Sequence, residues 1–288
     1  MIQYLYLGRI GYDEALALQQ EIVELRHQGL VENVLLLLEH PPVLTLGRNS
    51  NRSNILATDE MLARKGVSIH DINRGGDVTY HGPGQLVGYP IFDLRSLKNS
   101  TGGRLGPVDY VRRVEEAMIR LCAGYGVLTG RVPGRTGVWT MLEGREKKIG
   151  AIGVHVSRGI TSHGFAFNLT TDLRDFQWIV PCGIADREVT SLELEISPNQ
   201  QLPTLPQLAD VAARMFGHVF DEPVLAVESL EALRAGAESR RAKLAELTGL
   251  TGPAAAAQET IEVPVTVPKE VERLIQKDAE LLEKPVRA

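Results

Sequence analysis

Cys182 stands between Pro181 and Gly183 in the run Val180-Pro181-Cys182-Gly183-Ile184, and Lys148 opens the run Lys148-Ile149-Gly150-Ala151-Ile152-Gly153-Val154. A thiol flanked by proline and glycine is badly placed for a core, because neither neighbour brings regular secondary structure or much apolar packing. It reads as a presented nucleophile. A lysine heading an apolar, glycine-spaced strand would lie near a buried site, where its charge could lower the pKa of a thiol beside it. A free thiol with a pKa near ~8.5 is only a few per cent thiolate at neutral pH, and each unit of depression is worth roughly 1.4 kcal/mol of relative thiolate stabilisation. The same lysine could accept the proton of an incoming amine in a second step. These types in this setting point to acyl-group chemistry.

The densest further segment is Arg74-Gly75-Gly76-Asp77-Val78-Thr79-Tyr80-His81-Gly82-Pro83-Gly84-Gln85-Leu86-Val87-Gly88-Tyr89-Pro90. Its glycines let the backbone approach a ligand closely, so that main-chain amides can line a pocket. It has neither the dinucleotide-binding glycine spacing nor a phosphate-loop pattern. The plain alternative is a glycine-rich hairpin that happens to carry polar residues. His81 and His163 each sit beside a glycine, and either orients Lys148, bonds an acyl carbonyl, or is simply a satisfied structural histidine. Oxyanion donors are expected from backbone amides near Cys182 or Gly76. Tyr80, Phe165 and Phe167 either wall an acyl channel or belong to an ordinary core.

The elements that must position these groups read as mixed α and β. Residues 3–7 suit a short strand, and residues 12–30 a helix with Leu16, Ile22, Val23 and Leu25 at helical spacing. Residues 33–39 and 43–46 read as buried strands, 58–65 as a short helix and 67–72 as an alternating strand. A helix follows Pro107 with Val111, Val114, Met118, Leu121, Cys122 and Tyr125 on its apolar face, so Cys122 is read as structural. Residues 139–169 look like paired strands with turns near 142–145 and 157–159. Residues 172–178 read as loop, 189–196 as a strand and 206–220 as a helix. One sheet with helices packed on it is the expected body, an α/β class of fold.

After residue 220 the character changes. Residues 225–247 read as a charged amphipathic helix, 252–257 as an alanine-rich linker, 261–267 as an extended run broken by Pro264, and 270–283 as a last polar helix. With no internal repeat and little core material, residues 221–288 are expected to be an acidic helical extension of a catalytic domain spanning residues 1–220.

Composition bounds the function. At 288 residues and 43% hydrophobic the chain can bury one large core, and its longest apolar run, 34–38, falls far short of the roughly 20 residues that span a bilayer. The N-terminus lacks a basic signal-peptide region, so a cytoplasmic location with no membrane association is expected. Two cysteines make no disulfide framework, and no metal-ligand spacing is present, so neither metal nor cofactor is expected. The net charge of -5 argues against nonspecific nucleic-acid binding. That charge is unevenly spread, with 13 acidic and 9 basic residues from Asp221 onward against 23 and 22 before it, so the near-neutral body can still show a basic face. Arg48, Arg52, Arg131, Arg135 and Arg145 are its candidates for meeting an acidic partner, a solvated surface being the plain alternative.

The segments 74–85, 148–153, His163-Gly164-Phe165-Ala166-Phe167-Asn168-Leu169 and Pro181-Cys182-Gly183 together resemble, in order and spacing, the lipoyl(octanoyl) transferase family. The resemblance covers roughly residues 1–220, and the family often carries Gln or Lys where this chain has Asp77. It implies a biotin/lipoate protein ligase-like α/β catalytic domain that moves an octanoyl or lipoyl group from acyl carrier protein to a lysine of a lipoyl domain, in 2-oxoacid dehydrogenases or glycine-cleavage H protein. It also implies that Cys182 carries the thioester, that Lys148 activates it, and that Arg74, Gly75, Gly76, Asp77, Val78, Thr79, Tyr80, His81, Ala151, Ile152, Gly153, Gly164, Phe165 and Ala166 bind substrate. No ATP is needed, since thioester to amide is downhill. A monomer is expected. Two other readings are an ATP-dependent lipoate or biotin ligase, which needs no cysteine at 182, and a non-catalytic sensor that binds acyl carrier protein.

Overall fold

In the computed structural model the chain runs β1 (Ile2–Arg9), α1 (Tyr12–His27), β2 (Asn33–Glu39), β3 (Val43–Leu46), α2 (Asp59–Arg64), β4 (Ser68–Asp71), β5 (Val78–His81) and β6 (Gln85–Ile91). It continues through α3 (Pro107–Ala123), β7 (Thr129–Val132), β8 (Arg135–Thr140), β9 (Lys147–Ser157), β10 (Ile160–Asn168) and β11 (Glu188–Val189). α4 (Leu192–Glu195), α5 (Leu205–Phe220), β12 (Val224–Ala226) and α6 (Leu230–Thr248) follow. The structure describes residues 1–99, 101–141, 145–180 and 188–248. The Cys182 segment, the tip of the turn near 142–145, and the linker, extended run and last helix read after residue 250 lie outside the described residues.

Nine strands form a mixed sheet in the order β12-β1-β2-β6-β10-β9-β8-β7, with β11 paired to the start of β9. β2 is buried along its whole length because both faces of the sheet are covered, which is why its sequence is a continuous apolar run rather than an alternating one. On one face lie α3 and α5. α3 starts with Pro107, whose missing N–H costs nothing there, and turns Tyr110, Val114, Ala117, Met118, Leu121 and Cys122 inward. α5 is opened by Thr204 and Gln207, whose side chains cap each other's backbone, and is stopped by Asp221 in a left-handed conformation. Their aromatic side chains lock to the sheet: Phe216 stacks on Phe165 with ring centroids 5.3 Å apart and Phe220 meets Phe92 edge-on at 5.2 Å. Each such buried side chain contributes roughly 1.5–3 kcal/mol.

The opposite face holds Ala15, Leu18 and Ile22 of α1 with Leu233 and Ala237 of α6. Further along that face lies a second sheet, β4-β3-β5. Leu44, Leu46, Val78 and Tyr80 point from it into a cluster with Leu62 of α2 and Phe176. The period of two then sends Thr45, Thr79 and His81 the other way, toward the large sheet.

Several elements differ from the sequence reading. The glycine-rich stretch 74–90 is no hairpin: β5 pairs with β3, whereas β6 pairs with β2 and β10. Residues 172–178 form a 3₁₀ segment, Leu173–Trp178, because the Asp172 side chain accepts from the Arg174 amide and closes the turn. The expected strand at 189–196 ends at Val189. Glu193 N–H bonds Leu169 O, and Leu192–Glu195 coil into one helical turn that buries Leu192 and exposes Leu194. The expected helix at 225–247 begins only at Leu230, since Val224–Ala226 adds a parallel strand to β1. Arg131, a candidate for the basic face, is committed to Glu115 and Glu116 of α3. No helix among the described residues is long and apolar enough to cross a membrane.

Candidate active site

Between the two sheets lies a narrow cavity. Its floor is the paired strands β9 and β10, with Gly153 opposite Gly164 and Ala151 opposite Ala166. Thr79 and His81 of β5, Val87 and Tyr89 of β6, and Tyr12 of α1 complete much of the wall. At the Ala151–Ala166 end it adjoins a smaller chamber lined by Lys148, Gln85, Asn168 and Phe176, the two spaces sharing Thr79, Ala151 and Ala166.

Lys148 reaches this chamber through a β-bulge. Val138 pairs with Gly150 but the next residue, Trp139, pairs with Lys148, so β9 spends one extra residue, Ile149, against β8. Ile149 turns into the core under α3 while Lys148 turns to the opposite face, shared with Ala151 and Gly153. Its neighbour Lys147 is over a third exposed and pairs with Glu195 at 3.6 Å. The Lys148 side chain is itself buried, with Nζ 5.1 Å from the centre of the Trp139 ring, a cation–π contact that orients the ammonium.

Gly137 makes room for that side chain. Its φ of +124° suits glycine alone, and a Cβ there would lie 2.7 Å from Lys148 Cε and 2.6 Å from Gly150 O. Its N–H donates to the buried carboxylate of Glu115, which Arg112 and Arg131 neutralise. Gly137→Ala is therefore expected to displace Lys148 and lower acyl transfer at least tenfold, with a melting temperature several degrees lower. Gly130→Ala in β7, where a Cβ meets nothing closer than 3.6 Å, is the control; equal rates in the two variants would refute the positioning role.

Arg74 caps the opposite end. It is buried, and its guanidinium donates to Thr45 O at 2.7 Å, Thr45 Oγ1 at 3.0 Å and Gly75 O at 3.0 Å. Gly153 lets this loop press onto β9, since a Cβ there would stand 2.9 Å from both Arg74 Cδ and Gly75 O. Asp77 accepts from the Val78 amide at 2.7 Å and from the Asn54 side chain, and Asn54 O in turn accepts from Val180 N–H at 2.7 Å.

Burial keeps the histidines here neutral, pushing His81 and His163 down to about 3 and His40 to about 4. His81 Nδ1–H donates to Gln85 Oε1 at 2.7 Å, Gln85 Nε2–H to Asn168 Oδ1 at 2.9 Å, and Asn168 Nδ2–H to Thr190 O at 2.9 Å. Thr190 N–H donates to Lys148 O at 2.9 Å, and Val189 is the strand partner of Lys148. The network thus fixes the chain just after the Cys182 segment against the lysine, while Val180 is fixed just before it.

Of the residues named from sequence, Arg74, Gly76, Asp77, Thr79, His81, Ala151, Ile152, Gly153, Gly164, Phe165 and Ala166 border the cavity. Gly75 lies in the Arg74 loop, its N–H on Val154 O. Val78 and Tyr80 face the other side of the small sheet, where the Tyr80 hydroxyl donates to Asp175 at 2.6 Å. Phe167 is core. Cys182 lies outside the described residues. Tyr12, Val87, Tyr89, Gly137 and Trp139 were not singled out from sequence; only Gly137 had a local signal, a glycine within the strand before Lys148. Among the described residues no cluster of His, Cys, Asp and Glu could hold a metal ion.

Residues 11–217 match the family model described as the lipoyl protein ligase A/B catalytic domain. The chain is 66% identical over 232 residues to an octanoyltransferase of Acidobacterium capsulatum, covering 80% of this chain and 94% of that one. It is 53% identical to an octanoyltransferase of Koribacter versatilis over 81% and 90% of the two chains. Among solved structures it is similar in fold to lipoate-protein ligase A bound with ATP, with TM-score 0.60 at 14% identity over 82% of this chain and 92% of that one. A bipartite lipoate protein ligase from Thermoplasma acidophilum gives TM-score 0.60 at 14% identity, over 83% and 90%.

Proposed function

Because the chain belongs to the lipoyl protein ligase A/B catalytic domain family and is an acyltransferase of its octanoyltransferase kind, we propose that it moves an octanoyl group from acyl carrier protein to a lipoyl-domain lysine through a thioester on Cys182. The observation that carries this reading is Lys148, turned by the bulge onto the end of a cavity between two sheets. In the first half-reaction the Cys182 thiolate attacks the donor's thioester carbonyl, and the donor thiolate leaves and takes the proton of the Lys148 ammonium, which leaves Lys148 a neutral amine. In the second the acceptor amine attacks the enzyme thioester, gives its proton to Lys148, and the cysteine thiolate leaves. The amide formed is the more stable acyl derivative, so no nucleotide is consumed. The acceptors are lipoyl domains of 2-oxoacid dehydrogenases and of glycine-cleavage H protein, and the reaction belongs in the cytoplasm, with residues 1–220 as its catalytic domain.

The cavity wall suits this role. Gly153, Gly164, Ala151 and Ala166 present only backbone and methyl groups to the space between the sheets. The test mixes the protein with octanoyl-acyl carrier protein and a free lipoyl domain, omitting ATP, and follows intact masses. One octanoyl mass is expected first on the enzyme and then on the lipoyl domain. A requirement for ATP, or an acyl-enzyme that never passes its group on, would overturn the proposal.

A further inference from the structure

His163 stands between two spaces. On one side is the cavity just described. On the other, between α1 and the β9–β10 hairpin, is a second cavity, bordered by Leu16, Gln19, Val23, His155 and Ile160. His163 borders both and is itself buried.

Three constraints hold the ring in place. Its φ of +54° is in the left-handed region, which a non-glycine residue enters only at a cost. Its backbone N–H donates to Gln19 Oε1 at 2.8 Å, and its Nε2–H donates to Asn73 Oδ1 at 2.7 Å. Gln19 is a buried helix residue whose Nε2 has no partner, a desolvation cost that the hold on His163 must offset. An imidazole is thus fixed at a backbone position that glycine would occupy more easily.

The position along the cavity gives the ring its role. Lys148 marks the reacting end, next to Ala151 and Ala166. From there the floor runs through Gly153 and Gly164 to His163, the strand partner of Val154. Three residues of strand from Ala151 to Val154 span about 10 Å, comparable to an extended eight-carbon chain. We propose that the His163 imidazole is the end wall of the acyl site and sets the length of acyl chain accepted, the second cavity being the space a longer chain enters once the ring is gone. This inference rests on the acyl-transfer reading.

The test is His163→Gly, which keeps the positive φ and the N–H held by Gln19 while removing the wall. Wild type and variant are each offered an equal mixture of octanoyl- and dodecanoyl-acyl carrier protein, and the acyl-enzyme masses are compared. The dodecanoyl-to-octanoyl ratio is expected to rise at least tenfold in the variant, with a smaller rise in Asn73→Ala, where the ring loses its tether. His163→Asn, which also tolerates positive φ, gives the same readout should the glycine variant fail to fold. Calorimetric binding of free octanoate and dodecanoate is measured alongside, so that failure of acyl transfer in the wild type is told apart from failure of the wall. A ratio unchanged or lowered in both assays overturns the proposal.

Discussion

Cys182→Ala is expected to take up no octanoyl group from acyl carrier protein, whereas wild type gains one octanoyl mass that hydroxylamine removes. The chain has two cysteines, and the second is excluded by its surroundings. Cys122 is fully buried in the core cluster under α3, and burial pushes its thiol up to about 12. At neutral pH only about one such thiol in a hundred thousand is ionised, and no donor arm can reach it. Cys122→Ala is therefore expected to load as wild type does. The described residues on either side of the Cys182 segment meet different surroundings: Val180 is bonded to Asn54, and Val189 is the strand partner of Lys148. Intact-mass analysis of the three proteins decides the matter, and an adduct that persists in Cys182→Ala would refute the nucleophile.

The strands that carry the site were legible because their apolar pattern is strong: β2 is a continuous run, and β9 and β10 bracket the turn at 157–159. Their partners were not. Nothing local in residues 78–91 tells that β5 joins one sheet and β6 another, because pairing with β3, or with β2 and β10, is decided by residues far away in sequence. The leucines and glutamates of 192–195 alternate like a strand, yet the Glu193 N–H finds Leu169 O and the segment coils instead. Short periodic runs are undecided by pattern alone.

The same division holds at the site. The motif 74–81 lies at the cavity, but the period of two sorts its members: Thr79 and His81 face the cavity while Val78 and Tyr80 pack against Phe176. That sorting could have been read from strand alternation. The Trp139 ring beneath Lys148 could not, because it depends on the extra residue at Ile149. Simple alternation separates Lys147 from Lys148 but would also have placed Lys148 and Ala151 on opposite faces. The bulge brings them together.

Lys148→Ala should lower transfer by about 10²–10⁴-fold, the usual reach of one positioned acid–base group, while Lys147→Ala changes it little. The two side chains differ in what they touch. Lys147 reaches solvent and Glu195, whereas Lys148 is enclosed with Trp139 beside Gln85 and Asn168. Two roles can be separated. If the ammonium stabilises the Cys182 thiolate, alkylation of that thiol across pH must shift to higher pH in Lys148→Ala, because removing a cation favours the protonated thiol. If the amine also takes the proton of the incoming lysine, a permanent cation cannot replace it. Lys148→Arg, which keeps the charge but does not deprotonate, should then retain part of the loading step and lose the transfer step. Single-turnover loading from octanoyl-acyl carrier protein, followed by chase with a lipoyl domain, measures the two steps in one experiment. An unshifted alkylation profile in Lys148→Ala would remove the thiolate role, and full transfer by Lys148→Arg would remove the base.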